Sequence, residues 1–210
     1  MKVYAISGLG ADERVFKYLN LKYPLVPIDW IIPEKNESIK YYSKRLSKSI
    51  KKKEDFAILG VSFGGLVAIE ISKLLQPKIT ILISSIENKY ELPLLNRIIG
   101  KTGIIKLIPK SLFKPPTKIA MWLFGAKNKS LLVDILNDTD LAFAKWAINQ
   151  LLNWKNTTGI SNSILKIIGS KDKLFSITTN SIIIKNGEHF MIVDKAEELS
   201  DIINYQLMRY

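Results

Sequence analysis

The sequence has no cysteine and a single histidine among its 210 residues. Without thiols it forms no disulfide, offers no thiolate nucleophile and holds no metal through cysteine. Long hydrophobic runs are also missing. The longest, at 79–84 and 163–168, have strand length, far short of the ~18 residues that span a bilayer. The first residues hold one lysine and pass directly into an apolar run followed by glycines. They lack the hydrophobic core and small-residue cleavage site of a secretory signal, so a cytoplasmic protein with no membrane span is expected. Acidic residues are scarce, 19 against 31 basic ones, for a net charge of +12. Such an excess suits nucleic acid, anionic lipid or an acidic carrier protein. The lysines are scattered, however, in a chain dense in Lys, Ile and Asn together. The tightest run, Lys51-Lys52-Lys53, closes a predicted helix, where cations complement the helix dipole. Solvation is the preferred reading, and no nucleic-acid motif or aromatic platform argues for the alternative.

What is present is enough apolar material, 47%, to fill the core of one domain over residues 1–210. Six short runs rich in β-branched residues, at 3–7, 25–29, 56–61, 80–85, 164–168 and 181–185, read as strands buried on both faces. Helical patterns separate several of them. A short helix is expected at 12–20, a longer one at 38–51, and one at 63–75 with Leu66, Ile69 and Leu74 buried. The last, at 195–208, sets Leu199, Ile202, Ile203 and Leu207 on one stripe. Alternating β and α units imply a mostly parallel six-stranded sheet with helices on both faces.

The alternation breaks between 88 and 159. That stretch shows no strand but many helical pieces, including 116–124 and 140–153, and three of the four tryptophans, Trp122, Trp146 and Trp154. It is too long for a simple crossover helix. It reads as a helical lid insertion over the C-terminal edge of the sheet, where open α/β sheets bind ligands. Ordinary packing of the aromatics against the body of the domain is the alternative.

Gly60-Val61-Ser62-Phe63-Gly64 matches G-x-S-x-G, a pattern that chance places in roughly one chain in twenty of this length and composition. Its context is more informative. A buried strand enters it and a helix leaves it, the setting of a nucleophile elbow, where a strained turn exposes the serine hydroxyl. A side chain at Gly60 or Gly64 would collide with the neighbouring strand or helix, and Gly65 adds room for close packing. Ser62 is the candidate nucleophile. Its base would be His189, in Asn186-Gly187-Glu188-His189-Phe190, a loop leaving the edge of the sheet that also bears Ser62. A carboxylate should fix the imidazole tautomer. Asp172, in Gly169-Ser170-Lys171-Asp172-Lys173, gives the chain order Ser, Asp, His and is favoured. Glu87, after the fourth strand, is the rival. Asp12, Glu13 and Arg14, and the pair Asp29-Trp30, lie near enough to line a pocket. Helix capping by Asp12 and packing of Trp30 explain them equally well.

These three segments, the elbow at Ser62 and the loops of Asp172 and His189, resemble the α/β-hydrolase superfamily in an order that covers essentially the whole chain except the insertion. Members usually carry His-Gly after an early strand. This chain has Ser7-Gly8-Leu9-Gly10 instead, and the resemblance implies that the N–H groups of Leu9 and Phe63 form the oxyanion hole. It also implies a trimmed sheet that begins at the third strand of the full eight-stranded pattern. The expected activity is hydrolysis of a carboxylic ester or thioester through an acyl-enzyme, with no metal or organic cofactor. The tryptophan-bearing insertion suggests an aliphatic or aromatic acyl group. The alternatives are a carrier-bound acyl substrate, with an acidic carrier protein docking on lysine- and arginine-bearing parts of the insertion, and a small-molecule-binding protein without turnover.

Overall fold

The computed structural model describes all residues except Lys52, Lys53, Thr158 and Thr179. Six strands, β1 (Lys2–Ile6), β2 (Leu25–Pro27), β3 (Phe56–Val61), β4 (Ile79–Ile83), β5 (Ser163–Gly169) and β6 (Ser181–Ile184), form one sheet in the order β2-β1-β3-β4-β5-β6. Every neighbouring pair is parallel. In the central strands β1, β3 and β4 the apolar runs are continuous because both faces are covered. The edge strands depart from the expected two-sided burial, since β2 is half-buried and β6 leaves Ile182 and Ile183 exposed. Val3, Ala5, Leu59 and Ile81 point to one face, which is closed by α8 (Met191–Asp194) and α9 (Ala196–Leu207). Tyr4, Ile6, Ile58 and Leu82 point to the other, closed by α1 (Ile39–Leu46) and α2 (Phe63–Leu75). Leu199, Ile203 and Leu207 are fully buried, as the stripe on the last helix requires.

In β1, β2, β4 and β6 the sheet ladder stops one or two residues earlier than the apolar run, whereas β3 ends with its run and β5 one residue beyond it. β4 ends at Ile83 because Ser84, whose N–H still donates to the Ile167 carbonyl at 2.9 Å, takes a positive φ of 46° and turns the chain, and β2 ends at Pro27. The short helix expected at 12–20 is a single 3-10 turn, Glu13–Phe16, capped by Asp12. The helix expected to run to Lys51 ends at Leu46 and tightens into a 3-10 turn through Ser49. Lys51 therefore lies outside it, and Lys52 and Lys53 lie outside the described residues. Leu74 is 40% exposed rather than buried, since the buried face of α2 ends at Ser72.

Between β4 and β5 the described residues form α3 (Leu94–Thr102), α4 (Ile104–Leu107), α5 (Thr117–Phe124), α6 (Lys129–Asp138) and α7 (Leu141–Leu152), with no strand among them. Leu132 and Ile135 of α6 join the core of one sheet face, whereas Phe143 and Ala147 of α7 join that of the other. The helices thus straddle the C-terminal edge of the sheet. Trp146 and Trp154 pack on the body: Trp146 lies 4.5 Å from the Tyr42 ring, and the Trp154 Nε1–H donates to Glu70. Trp122 is exposed.

The strand order places the site. From β1 the chain moves outward to β2, and from β3 it moves the opposite way to β4. The crevice outside the carboxyl ends of β1 and β3 is the switch point at which open α/β sheets bind ligands.

Candidate active site

β3 delivers Ser62 into this crevice. Gly60 and Gly64 permit it by contact distance. A Cβ on Gly60 would lie 2.5 Å from the Gly64 carbonyl oxygen, and one on Gly64 would strike the carbonyls of Ile6 and Ser7. The helix therefore closes directly onto β1, and the turn between strand and helix has only Ser62 to absorb it. Ser62 adopts φ 52° and ψ −122°, a conformation costly for any residue with a side chain. Three hydrogen bonds hold it there. Its N–H donates to the Ile83 carbonyl at 3.0 Å, and its own carbonyl accepts from the Gly65 N–H at 3.0 Å and the Ser85 hydroxyl at 2.6 Å. Ser85 has no signature in the sequence, because its role depends on β4 lying beside β3.

The loops of Asp172 and His189 are fastened to each other. A Cβ on Gly169 would collide with the Gly187 carbonyl, so the loops approach as close as backbone allows. Lys171 N–H donates to Gly187 at 2.8 Å, and Asn186 N–H donates to the Ser170 hydroxyl at 2.9 Å. Phe190, which follows His189, donates its N–H to the Phe124 carbonyl at the end of α5. His189 is consequently buried between the rings of Phe124 and Phe175, at 5.6 and 5.7 Å.

The structure brings Ser62, His189 and Asp172 together. His189 Nε2 lies 2.9 Å from Ser62 Oγ, and Nδ1 lies 3.0 and 3.1 Å from the two Asp172 oxygens. An ionised carboxylate only accepts, so Nδ1 carries the proton and Nε2 is left to accept from the serine. Burial pushes the Asp172 carboxyl upward. The hydrogen bond and charge of His189, with the N–H groups of Leu174 and Phe175, outweigh it and hold the group below the usual carboxylate range. Glu87 stands elsewhere, 3.7 Å from the buried ammonium of Lys166, which Glu91 also binds.

Gly8 abuts the serine: a Cβ there would lie 3.4 Å from Ser62 Cβ. The N–H groups of Leu9 and Phe63 donate to no group among the described residues, and both residues line the crevice with Ser62. Ser7 donates its hydroxyl to Ala11 O at 2.7 Å; Trp30 Nε1–H donates to the same oxygen at 3.0 Å. Trp30 also packs on Phe143 of α7, and Asp12 pairs with Arg14. Neither touches the serine–histidine pair.

Ser62 and His189 line a cavity of about 420 Å³ whose walls are mostly apolar, with Thr139, Asn96 and Lys114 adding polar groups. Phe124, Leu132, Ile135, Leu136, Ile148 and Leu151 supply much of the lining, and none of the tryptophans does. The insertion thus contributes Leu, Ile and Phe to the cavity, while the indoles of Trp146 and Trp154 pack against the body of the fold, the alternative weighed for them from the sequence.

No family model and no curated protein matches the sequence. Solved structures do match the fold. A thermophilic esterase from Thermogutta terrifontis superposes with a TM-score of 0.75 at 12% identity, covering 100% of this chain and 90% of that one. A hydrolase from Oleispira antarctica gives 0.71 at 14%, covering 100% and 91%. A lipase-esterase related protein from Clostridium acetobutylicum gives 0.66 at 17%, covering 97% and 93%. The fold of this chain is the α/β-hydrolase fold.

Proposed function

We propose that the protein is a serine hydrolase that cleaves a carboxylic ester or thioester through an acyl-enzyme. The observation that carries the reading is the continuous hydrogen-bonded chain Ser62–His189–Asp172 at the floor of an apolar cavity. His189 Nε2 takes the Ser62 proton as Oγ bonds to the substrate carbonyl carbon. The carbonyl oxygen, now an anion, accepts from the N–H groups of Leu9 and Phe63. The tetrahedral adduct then collapses. The bond to the leaving oxygen or sulfur breaks, and His189 returns its proton to that atom. A water molecule next loses a proton to His189 as it attacks the acyl carbon. The bond to Oγ breaks, Ser62 regains the proton and the acid leaves. Asp172 stays ionised and holds the ring in the productive tautomer.

The cavity suits an aliphatic or aromatic acyl part, and residues 88–159 serve as its lid within a single domain. Labelling with a fluorophosphonate, mapped by mass spectrometry, tests the reading without requiring the natural substrate. Modification at Ser62 that disappears in His189→Ala is expected. Folded wild-type protein that resists the reagent would overturn it.

A further inference from the structure

Residues 92–133 carry eight basic side chains and no carboxylate, whereas the rest of the chain carries 23 basic and 19 acidic ones. One fifth of the molecule thus holds eight of its twelve net positive charges. A bias spread evenly over the composition does not produce that asymmetry. Lys101, Lys106, Lys110, Lys114 and Lys118 recur every four or five residues, and all are exposed.

The same stretch exposes large apolar side chains. α3 seats on α7 through Gly100, where a Cβ would meet the Leu152 carbonyl, and so turns Leu94, Leu95 and Ile98 outward. Ile104 and Leu107 protrude from α4, the latter 83% exposed, and Ile119 and Trp122 protrude from α5. Single exposed leucines are ordinary on a soluble surface, but a cluster on consecutive helices marks an interaction face. It also runs to the mouth of the cavity: Leu112, 71% exposed, and the exposed Lys114 both belong to the cavity wall.

We propose that this face, from α3 to α5, docks on an anionic lipid surface. The apolar side chains enter the boundary between headgroups and acyl chains, and the lysines lie along it with their ammonium groups at the anionic headgroups. Charge complementarity selects the anionic surface. Lysine interspersed among the apolar groups argues against a protein partner, since protein interfaces are depleted in lysine at their core. The cavity mouth then faces the lipid, and an acyl chain passes from one apolar phase to another without crossing water.

Docking is measured without turnover, so its outcome is separate from that of the proposed chemistry. The experiment is flotation of the full-length protein with vesicles of phosphatidylcholine alone or mixed equally with phosphatidylglycerol, at low and high salt. The wild type is expected to float with the anionic vesicles, at least tenfold more weakly with the neutral ones, and to release as salt is raised. Leu95→Asp combined with Leu107→Asp lowers the anionic affinity at least tenfold, whereas Tyr205→Asp, exposed on α9, leaves it unchanged. Thermal melting shows that each variant is folded. Should the double variant fail to fold, Lys110→Glu with Lys118→Glu, changing only exposed charges, is expected to give the same loss. Wild type that stays in solution with anionic vesicles, or binding that survives these changes, overturns the proposal. So does binding to an acidic acyl carrier protein without binding to vesicles.

Discussion

At the scale of single residues, Ser62 trades stability for position. Its backbone sits where glycine is at ease and serine is not, at φ 52° and ψ −122°. Ser62→Gly is therefore expected to abolish hydrolysis and yet raise stability by about 1 kcal/mol, read as a higher denaturation midpoint. A destabilised Ser62→Gly would mean that the turn is not strained. Asp172 acts through His189. Asparagine at 172 would present an amide N–H to Nδ1 and favour the tautomer that cannot accept from Ser62. Asp172→Asn should lower kcat by about 10⁴-fold while the protein remains folded. A loss below tenfold would show that the imidazole is oriented by something else. Along the sequence, chain order alone does not separate Asp172 from Glu87, since both lie between Ser62 and His189. The structure separates them by distance, because Glu87 joins the cluster around Lys166.

At the scale of elements, α2 meets β1 in a contact that admits no side chain at Gly64. A methyl group at Gly64 has no space beside the Ile6 carbonyl, 2.5 Å away, and backbone cannot step aside as a side chain can. Gly64→Ala should cost roughly 1–3 kcal/mol in chemical denaturation and lower kcat as the elbow shifts. The insertion offers the opposite case. Trp154 is buried and donates to Glu70, which also pairs with Lys73 of α2, but it does not line the cavity. Trp154→Phe is expected to lose about 1 kcal/mol of stability with kcat and KM unchanged. A specific change in KM would return the indole to the substrate. The exposed Trp122 belongs to the face proposed to meet lipid.

For the whole molecule, acid stability draws on carboxylates held below their ordinary range: Asp172 and Glu37, with Asp12 beside Arg14 and the exposed Glu54 beside Lys2 lowered as well. Asp172 is held low against its burial by His189 and two backbone N–H groups, and Glu37 is held low by its paired hydrogen bonds to Arg45, at 2.8 Å each. A carboxyl that is harder to protonate when folded binds fewer protons in the native state than in the unfolded one. Its stabilisation is complete above the ordinary value, 3.8 for aspartate, and is lost as pH falls through the lowered native value. The melting temperature should therefore drop steeply below about pH 4, and the drop should be shallower in Asp172→Asn. Equal slopes would remove Asp172 from the account.

The central strands are legible along the chain because a parallel sheet covered on both faces demands unbroken apolar runs, and Phe56–Val61 is one. β6 shows a β-branched run as well, although its edge position leaves Ile182 and Ile183 exposed. The elbow is legible for a related reason: glycines at 60 and 64 around one serine satisfy contacts local to a strand, a turn and a helix. Strand ends are less so, since they depend on single φ angles such as that of Ser84. The sequence by itself determined the α/β architecture, the serine and the one available imidazole. Tertiary structure alone decided which carboxylate reaches that imidazole, that Ser85 braces the elbow, and that Leu, Ile and Phe rather than Trp line the cavity. Those outcomes depend on distances between segments far apart in the chain. Gly169 closing on Gly187 sets one of them, and periodicity along a sequence carries no record of such distances.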